Sequence, residues 1–131
     1  MNVHFMSQRL DWQTPKDVYD KLNAEFHFDF DPCPHDPTFD GLSIDWGQSN
    51  FVNPPYGREI GKWITKGIAQ HLTGKTVVFL IPSRTDTKWW HYQIMKHADE
   101  IRFIKGRLKF GGAVNCAPFP SCIVVMRGKN D

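Results

Sequence analysis

The feature that most constrains the fold is a continuous apolar run from Thr76 to Pro82, which reads TVVFLIP. A run of strand length without alternating polar residues is typical of a β-strand that is covered on both faces. A chain of 131 residues, 40% of them hydrophobic, can supply that cover within one domain and is too short for two. We therefore predict a single domain, residues 1–131, with layers packed around a buried strand.

Helical and strand patterns alternate on both sides of this run. Thr14 and Pro15 suit a helix start, and the apolar spacing that follows predicts a helix to about Glu25. This alternation predicts an α/β fold: a mainly parallel sheet with helices on both faces and a C-terminal antiparallel hairpin formed by the last two strands. The other predicted elements are strands over Phe26–Asp31 and Asn50–Asn53, a helix marked by Ile60, Trp63, Ile64 and Ile68, a helix over Thr87–His97, and strands over Ile101–Lys105, Leu108–Phe110 and Ser121–Arg127.

Polar residues and prolines follow three successive predicted strands. The three groups begin at Asp31 (DPC), Asn53 (NPPY) and Ser83 (SRTD). In sheets of this class, ligands bind outside the carboxyl ends of the strands. The coincidence of the three groups therefore indicates a binding site at that edge.

The segment FVNPPYG, Phe51 to Gly57, resembles the catalytic motif of amino-methyltransferases that use S-adenosylmethionine. Together with WQTP, PSRTDTKWW, GRLKFGG and APFPSCIVV, it makes most of residues 10–126 similar to the small phage-type Dam group of DNA adenine methyltransferases. This resemblance implies a minimal Rossmann-like methyltransferase fold. It also implies transfer of a methyl group from S-adenosylmethionine to the exocyclic amine of adenine in double-stranded DNA.

The resemblance gives the catalytic roles to Asn53, Pro54, Pro55 and Tyr56. The adenine amine is a poor nucleophile because its lone pair is delocalised into the ring. The Asn53 side-chain oxygen and the Pro54 carbonyl would accept hydrogen bonds from its two hydrogens and favour a pyramidal nitrogen. Pro55 would hold that carbonyl in place, because its ring restricts the preceding residue. Tyr56 would stack on the base after it has left the duplex.

The resemblance also implies a cofactor site. Thr14 and Pro15 would reach the methionine end of the cofactor, although Thr14 could equally cap the first helix. Asp45 matches the acid that binds the cofactor's adenine amine, with Trp46 as a possible stacking wall. The place of the usual glycine-rich loop is taken by Asp31, Pro32 and Cys33. FDFDPCP contains no glycine, so the contacts of this loop stay open, and Asp31 could simply form a turn.

Two questions about this site stay open at the sequence level. The ribose would be bound by Asp36 or by Asp40. Larger DNA methyltransferases insert a separate target-recognition domain, and this chain has no stretch long enough to be one. Target specificity then has to come from short loops or from a second subunit, which leaves a homodimer as one option.

Basic and aromatic residues predict the DNA surface. A net charge of +2 does not by itself indicate a nucleic-acid-binding protein. Locally, however, SRTDTKWW offers charged and aromatic side chains beyond a strand end, while Asp86 or Thr87 caps the next helix and Trp90 packs inward. The predicted DNA contacts are Arg84, Lys88 and Trp89, with Arg107 and Lys109 on one face of their strand. For all of them a solvated surface is the alternative.

The compartment and the metal content follow from simpler features. No apolar run approaches the roughly 18 residues of a spanning helix, and MNVHFMSQRL lacks a signal peptide's apolar segment. We expect a cytoplasmic protein without a membrane partner, in the bacterial host cytoplasm if a phage encodes it. Cys33, Cys116 and Cys122 are expected to be free thiols. A zinc site built from them and His35 is disfavoured, because their spacing follows no finger pattern.

Two other functions compete with this interpretation. The chain could methylate another planar nitrogen, such as the amine of cytosine, an RNA base or a protein glutamine. It could also be a non-catalytic module that keeps the fold and occupies DNA. The intact tetrapeptide from Asn53 to Tyr56 argues against the second alternative, and cofactor binding would separate it from both enzymes.

Overall fold

The computed structural model describes residues 13–111 and 115–129, and a four-stranded sheet lies at its centre. The strands are β1 (Ser49–Val52), β2 (Thr76–Pro82), β3 (Glu100–Phe103) and β4 (Ser121–Met126), in the order β1-β2-β4-β3. β1 runs parallel to β2, whereas β4 is antiparallel to both β2 and β3. The sheet is therefore mixed, and the prediction of a mainly parallel sheet is wrong.

β2 is the buried central strand that the apolar run predicted. All seven of its residues are buried. Val77, Phe79 and Ile81 belong to one hydrophobic cluster, and Val78 and Leu80 to another. Because neighbouring side chains of a strand point to opposite faces, this division means that both faces of the sheet are covered.

Helices lie on both faces of the sheet, as predicted. α1 (Lys16–Phe26) contributes Leu22 to the cluster of Val78, and its Tyr19 ring meets Phe51 of β1 edge-on at 5.2 Å. α2 (Ile60–Leu72) contributes its predicted apolar stripe to the opposite cluster. None of the helices that the structure describes is long and apolar enough to cross a membrane.

The predicted third helix is present but is partly π-helical. A π-helical segment, Trp90–Ile94, is followed by α3 (Met95–His97). The backbone N–H of Trp90 donates to Thr87 Oγ1 at 3.3 Å, and the Trp90 side chain is buried. Thr87 therefore caps this helical stretch and Trp90 packs inward, as expected.

The strand predicted over Phe26–Asp31 is wrong. Phe26 still belongs to α1, and His27 turns the chain in the left-handed region with φ of 50°. The Asp29 carboxylate then accepts the backbone N–H of Ser49 at 3.0 Å. A side chain thus takes a donor that a regular ladder would use, and the segment keeps only one parallel bridge, from Phe30 to Asn50.

The C-terminal hairpin exists, but its first strand is not the predicted one. β3, within the predicted Ile101–Lys105 region, pairs with β4. Leu108–Phe110 does not pair as a strand: the Leu108 carbonyl instead accepts the backbone N–H of Ala117 at 2.8 Å, and Phe110 is buried in the cluster of Val78. The chain beyond it contacts the start of the described protein through a bridge between Gly111 and Gln13.

Candidate active site

The side chain of Asn53 lies between two hydroxyl groups, directly after the end of β1. Its Nδ2 donates to Thr14 Oγ1 at 2.9 Å, and its Oδ1 accepts from the Tyr56 hydroxyl at 2.9 Å. Pro54 is buried and Pro55 is half-buried. The amide of the predicted catalytic residue is therefore held at both ends, on a backbone that two prolines stiffen.

Tyr56 is enclosed by aromatic rings and by the end of the central strand. Its hydroxyl lies 3.2 Å from the carbonyl oxygen of Leu80 as well as near Asn53. The rings of Phe110 and Phe119 meet it nearly at right angles, with centroids at 6.2 Å and 5.4 Å. Burial raises the pKa of Tyr56 well above its usual range, so the phenol keeps its proton and can donate at neutral pH.

Thr14 reaches Asn53 because the chain before α1 is fixed from two sides. The backbone N–H of Gly111 donates to the Gln13 carbonyl at 2.7 Å, and the N–H of Tyr19 donates to the Pro15 carbonyl at 3.1 Å. Pro15 occupies the N-cap position of α1, which has no side-chain cap. The expectation that Thr14 caps this helix is therefore wrong: its hydroxyl bonds to Asn53 instead.

A cavity of about 570 Å³ adjoins the tetrapeptide through Pro55. This volume lies within the range of roughly 300–1,000 Å³ that small-molecule and cofactor sites occupy. Two carboxylates, those of Asp40 and Glu59, belong to its wall. The remainder of the wall is apolar or backbone: Pro32, Cys33, Pro37, Phe39, Gly41, Leu42, Pro55 and Trp63.

The glycine-free loop forms one side of this cavity. Asp31 is a turn former, since its Oδ1 accepts the backbone N–H of Cys33 at 2.9 Å. The turn places Pro32 and Cys33, both buried, on the wall. Of the two acids considered for the ribose, Asp40 lines the cavity and Asp36 does not.

Asp45 and Trp46 are not among the residues that line the cavity; Asp45 is exposed and Trp46 is buried. Asp45 Oδ1 accepts from Gln70 Nε2 at 3.3 Å, and Trp46 is 5% exposed. The Trp46 indole N–H donates to the Gly41 carbonyl at 2.7 Å, and its ring stacks on Trp63 at 6.4 Å. Trp46 therefore supports two of the residues that form the wall.

Tyr56 lines a second, smaller cavity of about 200 Å³. It brings Tyr56 together with two predicted DNA contacts, Arg84 and Trp89. The Arg84 guanidinium also lies 5.8 Å above the centre of the Phe119 ring. The remaining lining residues are Gly57, Ile60, Pro82 and Thr87.

The other predicted DNA contacts are exposed and lie outside both cavities. Lys88 precedes the π-helical segment. Arg107 and Lys109 are exposed on either side of half-buried Leu108. Their segment is not a strand, so the expectation that strand alternation puts them on one face has lost its basis.

Three groups of residues at this site were not predicted from the sequence. Phe110 and Phe119 surround Tyr56, but Phe110 was assigned to a predicted strand and Phe119 to the loop after it. Glu59 directly precedes the apolar stripe of α2 and has no motif of its own, while Trp63 was assigned to that stripe as core. Trp63 lies in the first turn of α2, only eight residues after Pro55, and this closeness in sequence was the available signal.

No three His, Cys, Asp or Glu side chains in the described ranges lie close enough to hold a metal ion. Cys33, Cys116 and Cys122 are thiols and not disulfides, as expected; Cys33 and Cys122 are buried and Cys116 is exposed. Burial raises the pKa of the Cys122 thiol to about 11, so it is an unreactive core residue at neutral pH.

The family model described as DNA N-6-adenine-methyltransferase (Dam) matches residues 4–128. The chain belongs to the Dam family. As a Dam protein it methylates the N6 amine of adenine in DNA, and neither methylation of another nitrogen nor a purely binding role is favoured. A search of curated proteins gave no match.

The Dam match takes in every part of the site described above. It includes the Thr14 segment, the tetrapeptide from Asn53 to Tyr56, both cavities and the aromatic residues around Tyr56. Methyltransferases generally take their methyl group from S-adenosylmethionine, so the chemistry of the larger cavity can be tested against that cofactor. The Dam family thus confirms the activity that the motifs predicted.

Proposed function

We propose that this chain binds S-adenosylmethionine in the cavity of about 570 Å³ and methylates an adenine presented to Asn53 and Pro54. The observation that carries this proposal is the position of Pro55. It belongs to the tetrapeptide and also to the cavity wall. A methyl donor in the cavity and an amine at Asn53 would therefore meet at one edge of the sheet.

The lining of the cavity fits the chemical groups of the cofactor. Aromatic and aliphatic side chains such as Phe39 and Trp63 suit a purine ring, and the Asp40 carboxylate suits ribose hydroxyls. Asp31, Pro32 and Cys33 would hold their side of the ligand through the turn that Asp31 forms. Asp45 and Trp46 would contribute by supporting the wall. Pro15 and the backbone of Thr14 remain predicted neighbours of the methionine end.

The protein supplies orientation and hydrogen-bond acceptors. When bound, the cofactor supplies an activated methyl group, so neither a covalent enzyme intermediate nor a strong base is needed. Asn53 Oδ1 and the Pro54 carbonyl accept the two amine hydrogens and turn the nitrogen lone pair toward the donor. Pro55 restrains that carbonyl, and Tyr56 packs on the base. After transfer the methylated nitrogen carries a positive charge, and its surplus proton passes to solvent water.

The DNA lies across the same edge. Arg84 and Trp89 adjoin Tyr56 in the smaller cavity, which favours phosphate and base contacts beside the extruded adenine. Lys88, Arg107 and Lys109 are exposed cations suited to neighbouring phosphates.

The fold and the setting of the enzyme follow from these roles. We propose one minimal Rossmann-like domain, with specificity from short loops or from the second subunit of a homodimer. We also propose that it acts on DNA in the cytoplasm, of the bacterial host if a phage encodes it.

Asn53→Ala tests this function. The variant removes one acceptor at the amine and leaves the cavity of Pro55 unchanged. Methyl transfer, measured by sequencing substrate DNA with modified-base detection, should fall on the order of 10²–10³-fold. Calorimetric S-adenosylmethionine affinity should not change.

A matched control comes from the other end of β1. Gln48→Ala changes an exposed side chain there and should keep both activity and binding. Absence of cofactor heat at millimolar concentration would contradict the cofactor assignment. If Asn53→Ala methylates DNA at the wild-type rate, the tetrapeptide serves only as a structural turn.

A further inference from the structure

We propose that Thr14 is a positioning residue: its hydroxyl, acting with that of Tyr56, determines which end of the Asn53 amide faces the adenine amine. This inference rests on the proposed catalytic role of Asn53. It gives Thr14 a task different from contact with the cofactor. The two 2.9 Å hydrogen bonds to the Asn53 side chain carry it.

An asparagine amide needs such a device. Its oxygen and its NH₂ group have nearly the same shape, so packing around Asn53 cannot distinguish them, whereas hydrogen-bond partners can. If the NH₂ group faced the substrate, a donor would meet the amine hydrogens and no acceptor would be available. Catalysis then depends on keeping the oxygen end available to the amine.

Tyr56 fixes the oxygen end. Its phenol keeps its proton in this buried position, and it is a better donor than acceptor because the oxygen lone pair is delocalised into the ring. The nearer acceptor is Asn53 Oδ1 at 2.9 Å, and the Leu80 carbonyl is farther, at 3.2 Å. Asn53 Oδ1 has two lone pairs, so it can hold the Tyr56 proton and still accept a hydrogen from the amine.

Thr14 fixes the nitrogen end. Its hydroxyl oxygen accepts a hydrogen from Asn53 Nδ2. The substrate amine cannot take over this role, because it donates its hydrogens to the oxygen end of the amide. The segment that carries Thr14 is itself held by the Gln13 bridge to Gly111 and by the start of α1. The contacts thus run from the fixed backbone through the Thr14 hydroxyl to the Asn53 amide. Thr14 is not among the residues that line the described cavity of Pro55.

Thr14→Val is the direct test, because valine keeps the shape and removes the hydroxyl. We expect kcat to fall on the order of 10- to 100-fold, with the S-adenosylmethionine Kd and the KM for DNA unchanged. Thr14→Ser, which retains the hydroxyl, should restore most of the rate. The same substitution at an exposed position of α2, Thr65→Val, is the matched control and should leave kcat unaltered.

Two measurements separate positioning from general damage. In an Asn53→Ala background, Thr14→Val should cause no further loss, because the group that it positions is gone. In ¹⁵N NMR spectra, the side-chain NH₂ signals that vanish in Asn53→Ala should shift in Thr14→Val and exchange faster with water, while the backbone spectrum stays folded.

The outcomes also distinguish this inference from the proposed function. Full activity in Asn53→Ala overturns the catalytic role of Asn53, and positioning with it. An inactive Asn53→Ala beside a fully active Thr14→Val overturns only the positioning role. A Thr14→Val variant that loses cofactor affinity instead of kcat assigns Thr14 to the cofactor and overturns the inference.

Discussion

Arg102 of β3 forms two parallel hydrogen bonds with Glu25 of α1, from Nη1 to Oε1 and from Nη2 to Oε2, both at 2.7 Å. The same guanidinium donates through Nε to Glu100 at 2.7 Å, and Arg127 lies 3.3 Å from Glu100. Both arginines also lie over the Phe26 ring, at 5.5 Å and 5.6 Å. The network joins the last turn of the first helix to an edge strand that is distant in sequence.

This network predicts an acid-sensitive part of the stability. Hydrogen bonding from Arg102 lowers the pKa of the Glu25 carboxyl, so the charged form is favoured in the folded state. Its stabilisation is present above the unfolded pKa of about 4.3 and is lost as the pH falls through the lower folded pKa. Because the pair is partly exposed, Glu25→Gln should reduce the free energy of unfolding at pH 7 by only about 0.5–1 kcal/mol.

Urea unfolding of wild type and Glu25→Gln between pH 7 and pH 3 checks this expectation. The difference between the two proteins should shrink as the pH falls below the unfolded pKa and through the lowered folded pKa, because wild-type Glu25 then takes up a proton and loses its charge. Asp20→Asn, which breaks the exposed pair with Lys16 on the same helix, is the control and should change little. A difference independent of pH would mean that Glu25 stabilises by packing and not by charge.

Two glycines of α2 predict opposite responses to the same substitution. A Cβ on Gly67 would lie 2.3 Å from Phe79 Cζ of the central strand, whereas one on Gly61 would meet nothing within 4 Å. Gly67→Ala should therefore destabilise by roughly 1–3 kcal/mol through overpacking. Gly61→Ala should stabilise by about 0.5–1 kcal/mol through helix propensity. Thermal and urea unfolding of both variants measure the effects, and equal shifts would show that α2 does not press on Phe79.

The sequence predicted those parts of the molecule in which local pattern and burial agree. The run from Thr76 to Pro82 predicted a strand covered on both faces, and the apolar stripe that begins at Ile60 predicted α2. FHFDFD failed because side-chain hydrogen bonds override alternation: Asn23 Oδ1 takes the backbone N–H of Phe28, as Asp29 takes that of Ser49. The alternation of apolar and polar residues does not show where a side chain will replace a backbone group in the hydrogen bonds of a sheet.

The candidate site shows the same division. Motif residues such as Asn53 were predictable because the residues of the motif are consecutive in the sequence. The bond from Asn53 to Thr14 joins residues 39 positions apart, and the rings of Phe110 and Phe119 reach Tyr56 from the segment between β3 and β4. Such contacts depend on how the layers pack, which spacing along the chain does not encode.

Of the three acids considered for the cofactor's ribose and adenine, one is expected to affect cofactor binding. Asp40 lines the cavity, and Asp40→Asn should weaken S-adenosylmethionine binding about 10-fold, because a hydrogen bond to a charged group contributes roughly 1.5–3 kcal/mol. Asn can still accept the N–H of Leu42 that Asp40 Oδ1 now accepts, so the turn is retained. Calorimetry measures the affinity.

Asp36 and Asp45 are the matched controls. Neither lines the cavity, and Asp36→Asn tolerates the backbone φ of 60° at that position. Asp45 bonds to Gln70, so Asp45→Asn should also bind the cofactor nearly as the wild type does. A loss of affinity in Asp45→Asn with none in Asp40→Asn would support the original prediction that Asp45 binds the cofactor's adenine amine.

The surface that carries DNA is tested by the dependence of affinity on salt. Each phosphate contact neutralised by Lys or Arg contributes about 0.9 to the slope of log affinity against log salt. Replacing Arg84 and Lys88 together by Ala should therefore flatten the slope by nearly two units and weaken DNA binding. The pair is exposed beside the cavity of Tyr56, apart from the cofactor wall, so S-adenosylmethionine affinity should stay unchanged.

Two further double variants locate the duplex more closely. Arg107 and Lys109 replaced by Ala should also flatten the slope if the DNA extends over the segment between β3 and Phe110. Lys62 and Lys66, on α2, are an equally charged pair away from Tyr56 and should leave the slope as it is. Because all three variants remove the same charge, a loss of net charge alone predicts equal changes. A slope that responds only at Lys62 and Lys66 would place the duplex on the outer face of α2, where an adenine could not reach Asn53 without a different approach to the sheet edge.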